Sequence, residues 1–406
     1  MTEAYLDNAA TTQPYPSVVA AVVEALERDW GNPSSRHRRG KEAKTLLERS
    51  RQTVAEALGV EPREVYFTSG GTESNNLALQ GAAWAADATD DTAGAQRLAP
   101  TGAQGSRSRT IITSTLEHAS VTKTVRNLKR QGWAINYIEA LGGVFDEEGY
   151  RRALEEHPVL TSVMAVQNEL GYRFPLKRIA ALRDEHSPQT LLHTDAVQAF
   201  GKLAFRPREL GFELASLSAH KIGGPKGVGA LYAQKGLRLF TTAHGGGQER
   251  HLRSGTEPLP LIAGFAEAVR ISLAHREATE ERARGLSTLL VEGLRREFPS
   301  VIINSRADGS PFIVSFSLPG VDNKAVLAQL SSQGVFVSTA SACENNEATV
   351  PPGTWRKKHP LPLQAAGIPS EQTTNTFRIS FSATSTEQDV RALLEQLPQA
   401  LAESKN

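Results

Sequence analysis

Cysteine is almost missing from this chain: there is one, Cys343, in 406 residues. One thiol cannot close an internal disulfide, so the fold owes nothing to oxidation and Cys343 serves either packing or chemistry. Net charge is also lacking, since 45 basic side chains stand against 44 acidic ones, and nothing in that balance favours nucleic acid as a partner. No stretch approaches the roughly 18 apolar residues that a membrane helix requires. The first twelve residues have neither a basic region nor an apolar run of the kind that directs export. The chain therefore reads as cytoplasmic, without a membrane partner. No internal repeat is visible. What is present is ordinary for a soluble globular protein, with 39% hydrophobic and 22% charged residues, in a length that suits one large unit or two domains.

Apolar, β-rich runs alternate with helical periodicity through the first two thirds of the chain, which predicts an α/β fold with a parallel or mixed sheet between helices. Strands are expected at Glu64–Thr68, Thr110–Ser114, Thr161–Val166, Thr190–Thr194, Glu213–Leu217 and Gly229–Ala233. Helices are expected at Val18–Asp29, Gly40–Leu58, Val121–Gln131 and Leu176–Glu185. The pattern breaks near "SGTEPLPLIAG", where two prolines precede a long amphipathic helix reaching about Phe298, and we place a domain boundary near Pro260. Beyond it, strands at Phe312–Leu318 and Phe377–Phe381 with helices at Asp322–Gly334 and Thr386–Ala402 describe a smaller α+β domain. Ala83–Ser108, rich in Ala, Gly, Thr and Asp, reads as a flexible surface insertion.

In open α/β sheets, ligands sit beyond the carboxyl ends of the strands. "FTSGGTESNNLAL" leaves a strand through Gly70 and Gly71 and enters a helix at Thr72. Such a turn presents free N–H groups to a phosphate, or is simply a capped helix start. "LLHTDAVQAF" sets Asp195 and Gln198 past an apolar strand, where the carboxylate is either a helix cap or the partner of a protonated ring nitrogen. "SLSAHKIGGPKGVGALY" brings Ser218, His220 and Lys221 off a strand together, amid glycines that let backbone approach a ligand. A desolvated lysine there can form an imine with a carbonyl compound. A strand-end aspartate followed along the chain by a strand-end lysine is what pyridoxal phosphate needs, one for its pyridinium charge and one for its aldehyde. His118 in "TLEHASV" falls at the same sheet edge.

These residues resemble the NifS/IscS-like cysteine desulfurases of the class V aminotransferase group. The stretches that carry the resemblance are "YLDNAATT", "GNPSSRHRRG", "FTSGGTESNN", "EHASV", "QNELG", "HTDAVQ", "SAHKIGGPKGVGALY", "GGGQERHLRSGTEP" and "SACE", and they span nearly the whole chain in the family's order. The resemblance implies a fold type I pyridoxal 5'-phosphate enzyme. Its large domain, residues 14–260, would hold a mixed, mostly parallel seven-stranded sheet, and residues 1–13 with 261–406 would form the small domain. It also implies a homodimer with active sites near the subunit interface.

By matched motif, Lys221 resembles the imine-forming lysine, Asp195 the partner of the pyridine nitrogen, and Gln198 the contact to the phenolic oxygen. His118 would stack on the ring. Gly71, Thr72, Ser218 and His220 would cradle the phosphate, with Thr256 reaching in from the neighbouring subunit. Asn168 and Arg378 resemble the groups that bind the substrate carboxylate, and no metal is implied. Cys343, set among small polar residues, resembles the nucleophile that takes sulfur from L-cysteine, leaves alanine, and passes the persulfide to an acceptor protein whose identity the sequence leaves open. Lys221 and His118 would move the protons. Two departures stand out: the segment from Glu344 to Pro362 looks longer than usual for the family and carries the basic cluster Arg356–Lys358, and Gln167 stands where the family commonly has asparagine. Rival readings are a selenocysteine lyase, an aminotransferase, another lyase of the group, or a sulfur-assembly scaffold acting mainly by binding.

Overall fold

A computed structural model describes residues 3–88, 108–339 and 362–404. The chain opens with a short strand β1 (Ala4–Tyr5), followed by helices α1 (Pro16–Arg28) and α2 (Arg38–Leu58). Then strands and helices alternate: β2 (Val65–Thr68), α3 (Gly71–Asp87), β3 (Thr110–Ser114), α4 (Ala119–Arg130), β4 (Ala134–Ile138), α5 (Glu147–Leu154), β5 (Leu160–Ser162), α6 (Leu176–His186), β6 (Leu191–Asp195), β7 (Leu214–Ser218) and β8 (Gly229–Ala233). The strands form one seven-stranded sheet in the order β2-β8-β7-β6-β5-β3-β4. Only β8 runs against its neighbours. Strands β3, β6, β7 and β8 are buried along their whole length. That is why they read as continuous apolar or small-residue runs rather than alternating ones.

Helix α7 (Leu259–Glu297) is 39 residues long, about 58 Å at 1.5 Å per residue. It packs on α1 and α2, and also on β10 and α10 of the C-terminal third. That third comprises β9 (Ile302–Ile303), β10 (Ile313–Ser317), α8 (Asn323–Ser332), β11 (Val335–Phe336), β12 (Ser338–Thr339), α9 (Pro362–Ala365), β13 (Thr376–Ser380) and α10 (Glu387–Glu403). Its sheet has the order β12-β13-β10-β9 and is antiparallel. The N-terminal β1 pairs with β11, and Asn8 Nδ2 donates to the Ser380 carbonyl at 2.9 Å. The start of the chain is thereby fastened to its end.

The fold class follows the sequence reading, with local differences. The expected insertion does not begin at Ala83, because α3 continues to Asp87 with Ala83 and Ala86 buried. Alanine is the strongest helix former, and here it packs closely. The rest of that segment, 89–107, lies outside the described residues. The expected strand Thr161–Val166 is regular over Leu160–Ser162; beyond that the amides of Val163 and Ala165 still donate to the His193 and Asp195 carbonyls of β6 at 3.1 and 2.9 Å, and Val166 bridges to Arg173. Strand β4 went unread because it is a half-exposed edge. Helix α5 is eight residues long, too short to show a period.

Candidate active site

Two reversals of direction, β7 to β8 and β8 to β2, leave β2 parallel to β7. Strands β2, β3, β5, β6 and β7 therefore end on one edge of the sheet. That edge receives the Gly70–Gly71 turn, His118, the Gln167–Leu170 turn, Asp195 and the Ala219–Lys221 turn. Lys221 Nζ donates to the carbonyls of Ala9 and Ala10, both at 2.7 Å. Gln198 Nε2 donates to the same Ala9 carbonyl at 2.9 Å, so the lysine and the amide share one acceptor from the N-terminal segment.

Asp195 is buried. Its Oδ2 accepts from Asn75 Nδ2 at 2.7 Å and its Oδ1 from the Val197 amide at 3.0 Å. It has no ion-pair partner among the described residues, and a buried carboxylate without a countercharge calls for a cation. The Asn75 amide nitrogen also reaches Ser120 Oγ at 2.8 Å, and Ser120 Oγ lies 2.8 Å from His118 Nδ1. His118 caps α4, its Nδ1 accepting from the Ser120 amide at 3.2 Å. An amide donor at Nδ1 fixes the neutral tautomer with its proton on Nε2. Burial chiefly, helped by Lys221 and Lys123 and opposed by Asp195, holds the ring below the usual histidine range.

The turn into α3 has Gly70 at φ 150 and no side chain capping the helix. A Cβ on Gly71 would come within 2.6 Å of Val197 Cγ2, and Ser218 lies just beyond. The first-turn amides and the buried Ser218 hydroxyl thus sit side by side where an anion is favoured. His220 Nδ1 is 3.2 Å from Thr11 Oγ1. Burial, with Lys221, Lys226 and Lys202, lowers its pKa to about 4. Thr72 is exposed at the mouth of this turn, and Thr256 is exposed ahead of α7, apart from it in the chain.

Arg378, on β13, is buried. Its Nη1 donates to the Asn168 carbonyl at 3.1 Å and its Nη2 to Asp7 at 2.7 Å. Its Nε has no hydrogen-bond partner among the described residues, leaving a charged donor for an acid group. The Asn168 turn is held by Gln167, whose Oε1 accepts from the amides of Glu169 and Leu170 at 2.7 and 2.6 Å. The longer side chain at this position is therefore a brace. Cys343 and the segment that follows it to residue 361 lie outside the described residues.

Sequence reasoning passed over several residues of this site. Asn75 and Ser120 were hidden because their roles depend on a link between α3, α4 and β6 that no local pattern announces. Asp7 lies in a matched stretch but was not singled out. Glu117 is wholly buried beside His118, accepts from Ser114 Oγ at 2.5 Å and the Met164 amide at 2.9 Å, and is pushed up to about 8 by burial. Lys202 is buried with its Nζ 3.0 Å from Gln198 Oε1. The "GGGQERHLRSGTEP" segment is anchored by a buried bidentate pair, Arg51 Nη1 and Nη2 to Glu249 at 2.7 and 2.9 Å.

The aminotransferase class-V family model matches residues 4–393. The chain is 34% identical to "Cysteine desulfurase IscS" of Methanosarcina thermophila, covering 99% of this chain and 93% of that one. A solved structure described as "NIFS-LIKE PROTEIN" superposes with a TM-score of 0.87 at 32% identity, covering 99% of this chain and all of the other. A second, "SspA in complex with cysteine", superposes with a TM-score of 0.74 at 29% identity, covering 95% of this chain and 100% of the other.

Proposed function

Since the chain belongs to the aminotransferase class-V family, among the cysteine desulfurases of the IscS/NifS kind, we propose that it desulfurates L-cysteine with pyridoxal 5'-phosphate held between Lys221 and Asp195, and that Cys343 receives the sulfur. The observation that carries this reading is the pairing of a buried carboxylate, without an ion-pair partner among the described residues, with a lysine on the next strand end. Strands β6 and β7 are parallel neighbours, with Asp195 beside Ser216. When bound, the cofactor supplies an aldehyde that captures the substrate amine and a ring that takes up the electrons freed at the α-carbon.

Each side chain then has a task. Asp195, oriented by Asn75, holds the proton on the ring nitrogen. Gln198, its carbonyl occupied by Lys202, would offer its amide nitrogen to the phenolic oxygen. Gly71, Thr72, Ser218 and His220 would hold the phosphate, and Thr256 of a second copy would complete the cradle. Arg378 and Asn168 orient the substrate carboxylate. Lys221 would hold the cofactor's aldehyde and, as a free amine, would take the α-proton. His118 keeps a proton at Nε2 for delivery to substrate. The Cys343 thiolate attacks the substrate sulfur, so that an S–S bond forms as the substrate C–S bond breaks. The product leaves as L-alanine, and the persulfide passes to the thiol of an acceptor protein.

A homodimer is supported by an apolar stripe on the outside of α1 and just past it, where Val19, Val23, Leu26 and Trp30 are 51%, 45%, 58% and 65% exposed. Exposed apolar patches of this kind mark association surfaces. A cytoplasmic site of action suits a lone thiol that must stay reduced; no helix among the described residues is long and apolar enough to cross a membrane.

The experiment measures alanine formation from cysteine together with the visible absorption of the bound cofactor. Cys343→Ala should keep the absorption and lose alanine formation; Lys221→Ala should lose the parent's absorption band. A Cys343→Ala protein that turned over as fast as the parent would remove the persulfide route.

A further inference from the structure

Beside Lys221 a cleft of about 280 Å³ opens between the Gly201–Lys202 turn, the middle of α7 and the chain after β13. Its basic lining consists of Lys202, Lys221, His275 and Arg282, and no acidic side chain is among the described residues that line it. His275 and Arg282 are exposed at its mouth. Lys202 is 6% exposed and lies at its inner end.

Lys202 is the unusual member. An ammonium has three protons to donate, yet among the described residues it has one acceptor, Gln198 Oε1, and otherwise faces the ring of Phe312 at 5.9 Å. Burial, with Lys221 and Arg378 nearby, draws its pKa down to about 7. A buried cation with donors to spare, in a cleft lined by other cations, is stabilised by a negative group. The remaining walls include Ile222, Ile271, Ala278 and Phe312, which favour an apolar body attached to that charge. At roughly 30 Å³ for each water-sized group, the space takes about nine heavy atoms.

We propose that this cleft binds a small organic carboxylate, its acid group against Lys202 and Arg282 and its carbon chain against Ile271 and Phe312. Of the residues assigned to desulfuration, Lys221 alone is among the described residues that line the cleft, and neither Asn168 nor Arg378 is, so its occupant is distinct from the substrate. Its occupant acts on the first through Lys202, because the amide of Gln198 is held by Lys202 at its oxygen and by Ala9 at its nitrogen.

The test is calorimetric titration of butyrate, and separately of inorganic sulfate, into protein saturated with pyridoxal phosphate. Butyrate should bind at one site, and sulfate, which has no apolar body, more weakly. Lys202→Met and the mouth substitution Arg282→Glu should each weaken butyrate by about tenfold or more, near 1.4 kcal/mol, while Arg378→Ala, at the proposed substrate site, should not weaken it. Arg282→Glu keeps the test decisive if Lys202→Met does not fold. Absence of saturable butyrate binding at about 10 mM, retention of parent affinity in Arg282→Glu, or loss in Arg378→Ala alone would overturn the proposal. Equal affinity for sulfate would overturn the assignment to an organic acid.

Discussion

Replacing Arg51 by methionine should be among the most damaging single changes outside the active site. The guanidinium is 2% exposed and gives two bonds to Glu249, whose side chain is 1% exposed. It also donates to the Val65 carbonyl at 2.9 Å and lies 4.8 Å from the centre of the Phe67 ring. Methionine keeps the apolar stem but leaves the Glu249 carboxylate buried, with the Phe67 amide, at 2.9 Å, its one remaining donor among the described residues. Removing one member of a buried ion pair costs about 3–5 kcal/mol, mostly the penalty of the charge left behind.

Here a second cost is released. Glu249, Arg250 and His251 have φ of 45, 54 and 66, and a non-glycine residue in that region costs roughly 1–2 kcal/mol. Such a turn persists only where its surroundings hold it. With the pair broken, the backbone around residue 250 should also lose hydrogen-exchange protection. Urea unfolding of Arg51→Met, Glu249→Leu and the double variant gives the coupling, which should reach about 2 kcal/mol. A single-variant loss below about 1 kcal/mol, or a coupling within about 0.5 kcal/mol of zero, would refute the reasoning.

Other outcomes follow from the same geometry. His193 is wholly buried between the hydroxyls of Ser162 and Ser216, at 2.8 and 3.0 Å, and burial lowers its pKa to about 3. The folded state keeps the ring neutral while the unfolded chain takes a proton below about 6.5, so its contribution is full above that pH and is lost as pH falls toward 3, by up to about 1.4 kcal/mol per unit. His193→Asn should flatten that limb in urea midpoints measured against pH, and an unchanged limb would count against it. Arg378→Lys should raise the KM for cysteine by about 10–100-fold, since an ammonium cannot reproduce the guanidinium fork; steady-state kinetics with an unmoved KM would place the carboxylate elsewhere. Gln167→Ala leaves two amides without their acceptor, at about 1–3 kcal/mol for a buried group. Its urea midpoint should drop and its KM for cysteine rise, because the same turn carries Asn168.

Much of the fold was legible because the parallel strands are buried on both faces and announce themselves as apolar runs. Strand β4 escaped because its side chains are half in water, and Ala83–Asp87 was misread because alanine composition was taken for low complexity when it was helix. At the site, Lys221, Asp195, Gln198 and His118 could be picked out because each follows a recognisable strand in a specific motif. Asn75, Ser120, Glu117 and Lys202 could not, because their meaning lies in partners 45 to 120 residues away or in burial that no spacing records.

By itself, then, the sequence determined the family, the order of most of the strands and helices, and which residue types are available for imine chemistry and for sulfur. Only the tertiary structure decided that Asp195 is buried with no ion-pair partner among the described residues, that His118 carries its proton on Nε2, and that a cleft lined by Lys202 and Arg282 lies beside Lys221. The reason is physical: charge states and tautomers are set by desolvation and by contacts between distant segments, and these exist only once the chain has closed on itself.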